Sequence, residues 1–302
     1  MIQSSKKIKK LFNSKKILIS LLLILLLILA YLVFQNSNIV ICTSRIDLSN
    51  KKIKRIPDQV VTCPTLKELI LKNNDLDIRT ISDQICSLNN LEYLDISGIY
   101  PPEFYKTDSN EEVSNQIPAC IKNLSKLNQL YADGSVIKVI PPEIGYLKNL
   151  EILSLDSNQI KIIPSEIGQL SKLKKLILSR NKIETVPDDI ENLFNLTELN
   201  LWGNNITDIN PKLGKLIKLN SLNLCSNNIS NLPDELWNLI NLEELSLCYN
   251  NFSYIPDKIS NLKAIKKLFI YCNYKLSEDS YKRVTNYFPN LKITMDCPMG
   301  IM

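Results

Sequence analysis

The chain has 302 residues, 45% of them apolar, and 36 basic against 31 acidic side chains for a formal net charge of +5. That is enough apolar material for a sizeable core, which excludes disorder along the whole length. Histidine is absent and glycine numbers only 7, so imidazole general bases, His-ligated zinc and glycine-rich phosphate loops are excluded too. The basic excess belongs to one end. Lys6, Lys7, Lys9, Lys10, Lys15 and Lys16 occur in residues 1–16 without an acid, leaving 30 basic against 31 acidic residues in the rest, and no nucleic-acid surface is indicated.

After this Lys-rich segment, residues 17–34 form an apolar stretch in which Ser20 is the only clearly polar residue. A helix rising about 1.5 Å per residue would cover about 27 Å there, close to the hydrocarbon thickness of a bilayer. The lysines before it and the scarcity of bases after it predict a cytoplasmic N-terminus, with residues from Gln35 outward on the other side. Tyr31 falls where an interfacial aromatic belongs. The alternative is a cleaved signal peptide, which would secrete the remainder, but the stretch is long for one and Ile28, two places before Ala30, spoils a small-x-small cleavage site. Residues 35–42 then serve as a juxtamembrane linker.

From residue 43 the chain repeats. Leu150-Glu-Ile-Leu-Ser-Leu-Asp-Ser-Asn-Gln-Ile follows the template L-x-x-L-x-L-x-x-N-x-L, which restarts at Leu173, Leu196, Leu219, Leu242 and Ile265, 23 residues apart each time. Upstream units begin at Thr43, Leu66, Leu91 and Leu127, giving ten through residue 276. The pattern resembles the leucine-rich repeat family. The two leucines of Leu-x-Leu alternate with period two, so they lie on one side of a short strand and face a core. Stacked units then give an α/β solenoid: a curved parallel sheet on the concave face, with irregular, 3-10 or short helical segments such as 163–170 behind it. The resemblance implies a structural role for the recurring Asn74, Asn158, Asn181, Asn204, Asn227, Asn250 and Asn273, whose amides would satisfy backbone groups leaving the strands. Pro57, Pro118, Pro141, Pro164, Pro187, Pro233 and Pro256 suit an extended convex segment.

The unit starting at Leu91 runs 36 residues. Its insertion, near 100–116, contains Tyr100-Pro-Pro-Glu-Phe-Tyr105 and a polar acidic run, and Ile99 replaces the template Asn. Such insertions emerge as loops, often at a binding face, though a loop without a role is equally cheap. Residues 277–302 read as a C-terminal cap, with a helix starting at Ser277, an apolar face of Tyr281, Val284, Tyr287 and Phe288, and a stop at Pro289. Leu291-Lys-Ile293-Thr-Met295 offers a last strand.

Eight cysteines invite a disulfide framework. Cys63 occupies a leucine slot and reads as a buried thiol, with a bridge to Cys42 also open. Cys86 and Cys120 fall two template positions apart on the convex sides of neighbouring units, and Cys272 and Cys297 both lie near the C-terminal cap. Cys225 and Cys248 are 23 residues apart on the outward side. A bridge or a soft-metal site can be imagined there, but two thiols alone make a poor zinc site, and the expectation is a pair of contact residues.

With the leucines turned inward, template positions three, five and seven point out. Column seven reads Ser49, Lys72, Ser97, Asp133, Asp156, Ser179, Trp202, Cys225, Cys248 and Tyr271. Its last four members, with Phe269 from column five and Tyr249 from column eight, form an aromatic and thiol strip expected to contact a partner. Toward the N-terminal half the face becomes acidic, and Tyr131, Asp133 and Asp156 join the candidate site. An apolar anchor with a basic flank would fit both ends. The expectation is a non-enzymatic, membrane-tethered recognition or adhesion module for a protein ligand, with no cofactor, metal, nucleic acid or small-molecule substrate. A structural envelope or assembly scaffold is the alternative. A Cys-dependent or thiol-metal enzyme is more remote, since no His is present to activate a thiol. Sequons at Asn123, Asn195, Asn205, Asn228 and Asn251 would matter only in a glycosylating pathway.

Overall fold

The computed structural model describes residues 41–99 and 116–293. The Lys-rich and apolar N-terminal segments, the insertion from 100 to 115 and everything after Ile293 lie outside the described residues, among which no helix is long and apolar enough to cross a membrane.

Ten three-residue strands follow one another along the chain: β1 Arg45–Asp47, β2 Glu68–Ile70, β3 Tyr93–Asp95, β4 Gln129–Tyr131, β5 Ile152–Ser154, β6 Lys175–Ile177, β7 Glu198–Asn200, β8 Ser221–Asn223, β9 Glu244–Ser246 and β10 Lys267–Phe269. They pair in chain order into one sheet, each neighbour parallel. The register aligns the central residues, Leu69 with Leu94, Leu130, Leu153 and onward, into a single inward column. Tyr93 pairs with Gln129 in that same register, so the 36-residue unit keeps the alignment of the sheet. Gln116 forms an isolated parallel bridge with Val139.

The core is filled unit by unit. Leu150, Leu153, Leu155, Ile160, Ile167 and Leu170 are fully buried within one repeat, and each such side chain contributes about 1.5–3 kcal/mol. Behind the sheet, most units close with a five-residue 3-10 helix such as Pro142–Tyr146, Ser165–Gln169 or Asp234–Asn238. The residue before it is generally proline: Pro164, at φ −67°, enters the turn already at the angle its ring imposes, and its carbonyl accepts from Ile167 N. Asn210 stands where proline would be and caps its helix by accepting from Lys212 N. Neighbouring turns pack so closely that a Cβ on Gly168 would lie 2.3 Å from the Asp189 carbonyl oxygen. Two early units close differently, with short helices α1 Asp58–Val61 and α2 Ile78–Cys86.

The chain leaves each strand through a residue of positive φ at template position eight: Asn50, Asn73, Gly98, Gly134, Ser157, Arg180, Gly203, Ser226, Tyr249 and Cys272. The template asparagine follows. Asn158 Nδ2 donates to the carbonyls of Ala132, Leu155 and Asp156, while its Oδ1 accepts from the N–H groups of Ser135 and Ile137. The pattern recurs at Asn181, Asn204, Asn227, Asn250 and Asn273. In the unit starting at Leu127 a serine occupies the slot. Ser135 Oγ lies within hydrogen-bond distance of the Ile96 and Asp133 carbonyls and accepts from Ile99 N. Lys51 and Ser135 replace the asparagine in the first and fourth units, and in both the following residue, Lys52 or Val136, also has positive φ.

Helix α3, Glu278–Tyr287, caps the C-terminal end, its first turn held by Ser277 accepting from Ser280 N. Val284 and Ser280 are buried, and Tyr281 and Phe288 pack partly against the core. Tyr287 departs from the expected apolar face: it is 39% exposed at the rim, where its phenol meets Asp257. Residues Leu291–Ile293 form no strand. Tyr281 instead donates to the Ile293 carbonyl.

Among the described residues no cysteine is free. Cys42 bonds Cys63 and Cys86 bonds Cys120, so Cys63 is a disulfide partner and not the buried thiol its leucine slot suggested. Cys272 is disulfide-bonded as well, while Cys297, its expected partner, lies outside the described residues.

Candidate functional site on the strand-bearing face

The strand-bearing face has one backbone problem to solve. N–H groups at template positions six and eight enter the sheet ladder, as Leu155 and Ser157 do toward Ile177 and Ser179, but position seven points its N–H outward. Side chains of the face satisfy it. Asp47, Asp95, Asn200 and Asn223 at position five accept from Ser49, Ser97, Trp202 and Cys225 two residues on. At Asp133, Asp156 and Cys248 the acceptor is the preceding unit's position seven: Ser97 Oγ, Asp133 Oδ1 and Cys225 Sγ. Several polar residues of the face therefore serve the fold, and small ones such as Ser97, Ser154, Ser179 and Ser246 lie buried in its floor.

Above that floor stand the aromatic residues of the expected strip. Trp202 is 38% exposed. Its indole N–H donates to Ser226 Oγ, and the Arg180 guanidinium lies 5.4 Å over its ring. Phe269 is 36% exposed. It meets Tyr271 edge-on at 6.3 Å, and Tyr271 meets Tyr249 edge-on at 5.7 Å. Cys225 and Cys248, expected as open contact residues, are instead disulfide-bonded and only 4% and 5% exposed. The reason is the parallel register: the same position on adjacent strands brings their Cα atoms to 4.6 Å, so the two sulfurs bond and sink into the floor. The strip is therefore two aromatic groups, Trp202 and the Tyr249–Phe269–Tyr271 cluster, separated by a disulfide.

The N-terminal half is acidic and more tightly built. Asp156 pairs with Arg180 and accepts from Ser179 Oγ. Burial pushes its carboxyl up, but the hydrogen bonds from Arg180, Ser179 and Ser157 outweigh that and leave it below the usual range. Asp133 accepts from Ser154 Oγ at 2.7 Å, yet burial, with Asp156 and Asp95 nearby, holds its carboxyl above the usual range. Tyr131 packs against Tyr93 with ring centroids 5.4 Å apart. Tyr93 and Asp95 complete this patch, and the sequence reading did not place Tyr93 there. The available signal was its position three in the unit before Tyr131, a diagonal neighbour in a parallel ladder. Acids in the flanking columns are paired between repeats: Arg45 with Glu68, Lys67 with Glu92, Lys174 with Glu151, Lys175 with Glu198, Lys266 with Glu243 and Lys267 with Glu244.

This architecture defines the class, and comparison with known families agrees. Residues 106–224 match the model described as leucine-rich repeat region and residues 217–274 match the one described as leucine rich repeat. The chain is a leucine-rich-repeat protein. No curated protein matches it. Among solved structures it is similar to a leucine-rich-repeat protein of Leptospira interrogans, at 26% identity and TM-score 0.52, covering 80% of this chain and 75% of the other. It is also similar to the plant peptide hormone receptor RGFR1 in complex with RGF2, at 28% identity and TM-score 0.57, covering 74% of this chain. A third is the Arabidopsis receptor kinase HAESA in complex with the peptide hormone IDA and the co-receptor SERK1, at 25% identity and TM-score 0.63, covering 76% of this chain. The matches span only 41% and 38% of the two plant receptor chains.

Proposed function

We propose that the chain is a non-enzymatic recognition module whose strand-bearing face binds an extended segment of a protein partner, tethered through residues 17–34 with its repeats outside the cytoplasm. The observation that carries the reading is the two aromatic groups, Trp202 and the Tyr249–Phe269–Tyr271 cluster, with Trp202 and Phe269 exposed on a face whose core does not need them. The plant receptors, which hold peptide hormones in their solved complexes, support a protein ligand. The disulfides support an oxidising compartment.

A photo-crosslinker at position 202 tests it: the reading expects a specific adduct, lost when Tyr271 is changed to Ala. Mass measurement of the mature N-terminus and extraction by detergent test the tether. The scaffold alternative has its own feature, a groove of about 640 Å³ on another face, lined by Val139, Ile140, Pro142, Ile162 and Pro164 with Lys138, Lys161 and Lys182 around it. Ile162 is 74% exposed there. Adducts from position 162 but none from 202 would favour that reading.

A further inference from the structure

We propose that Tyr93, Tyr131, Asp95 and Asp133 form a seat for one Lys or Arg side chain of the partner. The inference rests on the reading of the strand-bearing face as a recognition surface and names the chemistry of the segment it takes. The two tyrosine rings lie 5.4 Å apart and tilted by 35°, offering a half-buried shelf of negative π faces on which a cation is attracted. The two carboxylates border that shelf, since Asp95 pairs in register with Tyr131 and Asp133 follows Tyr131 by two residues.

Charge sets this patch apart from most of the face. Among the described residues Asp47 also lacks an ion pair, but hydrogen bonds from Ser49, with Arg45 and Lys51, hold its carboxyl below the usual range and no tyrosine pair stands beside it. The acids of the flanking columns and Asp156 have basic partners, whereas among the described residues neither Asp95 nor Asp133 pairs with a base. The cations whose charge reaches the patch are already engaged, Arg45 by Glu68, Lys175 by Glu198 and Arg180, which acts on Asp133, by Asp156. The hydrogen bonds these two carboxylates accept fall on one oxygen each, from Ser97 N for Asp95 and from Ser154 Oγ and Asp156 N for Asp133. The second oxygen of each remains for a ligand. Burial, and after it the charge of Asp95, pushes the Tyr93 phenol up to about 12, so the shelf carries a neutral ring at physiological pH.

The spacing sets the register of the segment. Trp202 follows strand β7 and Asp133 follows strand β4, three strand steps apart. At about 4.8 Å per step that is about 14 Å, which an extended chain covers in about four or five residues. The geometry therefore fits a peptide crossing the strands with a basic residue about four or five positions from an aromatic or large aliphatic one.

The test is peptide phage display on the full-length chain, with the selected peptide resynthesised. Enrichment of Lys or Arg at that distance from an apolar residue is expected. The D95N/D133N variant should lose the basic preference and weaken the selected peptide about tenfold, while keeping the apolar preference and an intact thermal unfolding transition. Acetylating the lysine, or replacing the arginine by citrulline, should cost wild-type binding by a similar factor and does not depend on how the variant folds. Apolar enrichment without a basic residue, or a basic preference unchanged in the variant, overturns the seat and leaves the recognition face standing. If no peptide is enriched, both fall.

Discussion

The Oδ1 atom of Asp133 accepts a hydrogen bond from the backbone N–H of Asp156, 2.8 Å away and one repeat further along. The same carboxyl sits where burial, with Asp156 and Asp95 close by, raises it above the ordinary 3.8. A raised carboxyl favours the protonated folded state, so the cost of ionising it is absent well below 3.8, grows as pH rises through the interval above 3.8, and is fully present at neutral pH. Asp133→Asn keeps an oxygen acceptor and removes that cost. It should raise the melting temperature at about pH 7 and leave it unchanged at about pH 3. Asp156 has the opposite sign: its carboxyl lies below 3.8 despite burial, because of Arg180, Ser179 and Ser157. Its stabilisation is present above 3.8 and lost as pH falls through the lower folded value, so Asp156→Asn should lower the neutral-pH melting temperature.

Asn158→Ala removes the donors to Ala132, Leu155 and Asp156 and the acceptor for Ser135 and Ile137 in one substitution. Leaving buried backbone groups unpaired costs about 1–3 kcal/mol each. Urea unfolding should show a loss of about 3 kcal/mol or more. A loss below about 1 kcal/mol would mean that water takes over these groups and that the ladder is not what holds the turn.

Val136 adopts φ +55° with a β-branched side chain, a conformation that costs about 1–3 kcal/mol. Asparagine tolerates it far better. Val136→Asn should therefore stabilise the protein by about 1 kcal/mol in the same urea measurement, the half-buried methyl groups of Val136 being the smaller loss.

Thiol titration of the denatured, unreduced chain should find no free thiol at the described cysteines. The Cys225–Cys248 loop spans 23 residues, for which the chain-entropy model gives about 3 kcal/mol. Changing both to Ser should lower stability by roughly that amount. Retention of full stability would show that the strand register alone holds these neighbours together.

The sequence by itself determined the solenoid. Leucines spaced by two on each strand, asparagine at the turn and proline before the convex segment are local requirements, each met within one unit and repeated, so ten parallel strands follow from pattern alone. What the tertiary structure decided is the fate of the outward residues. Position seven is outward for Trp202 and Cys225 alike, yet one stands 38% exposed and the other is buried in a disulfide. The period of a strand says which way a side chain points. It does not say how close the same position on the next strand lies, which backbone N–H needs it, or which base already neutralises it. Most of those depend on contacts between one repeat and the next, as between Cys225 and Cys248 or Asp156 and Arg180, and they turned a single expected strip into two aromatic groups and a separate acidic, tyrosine-lined patch.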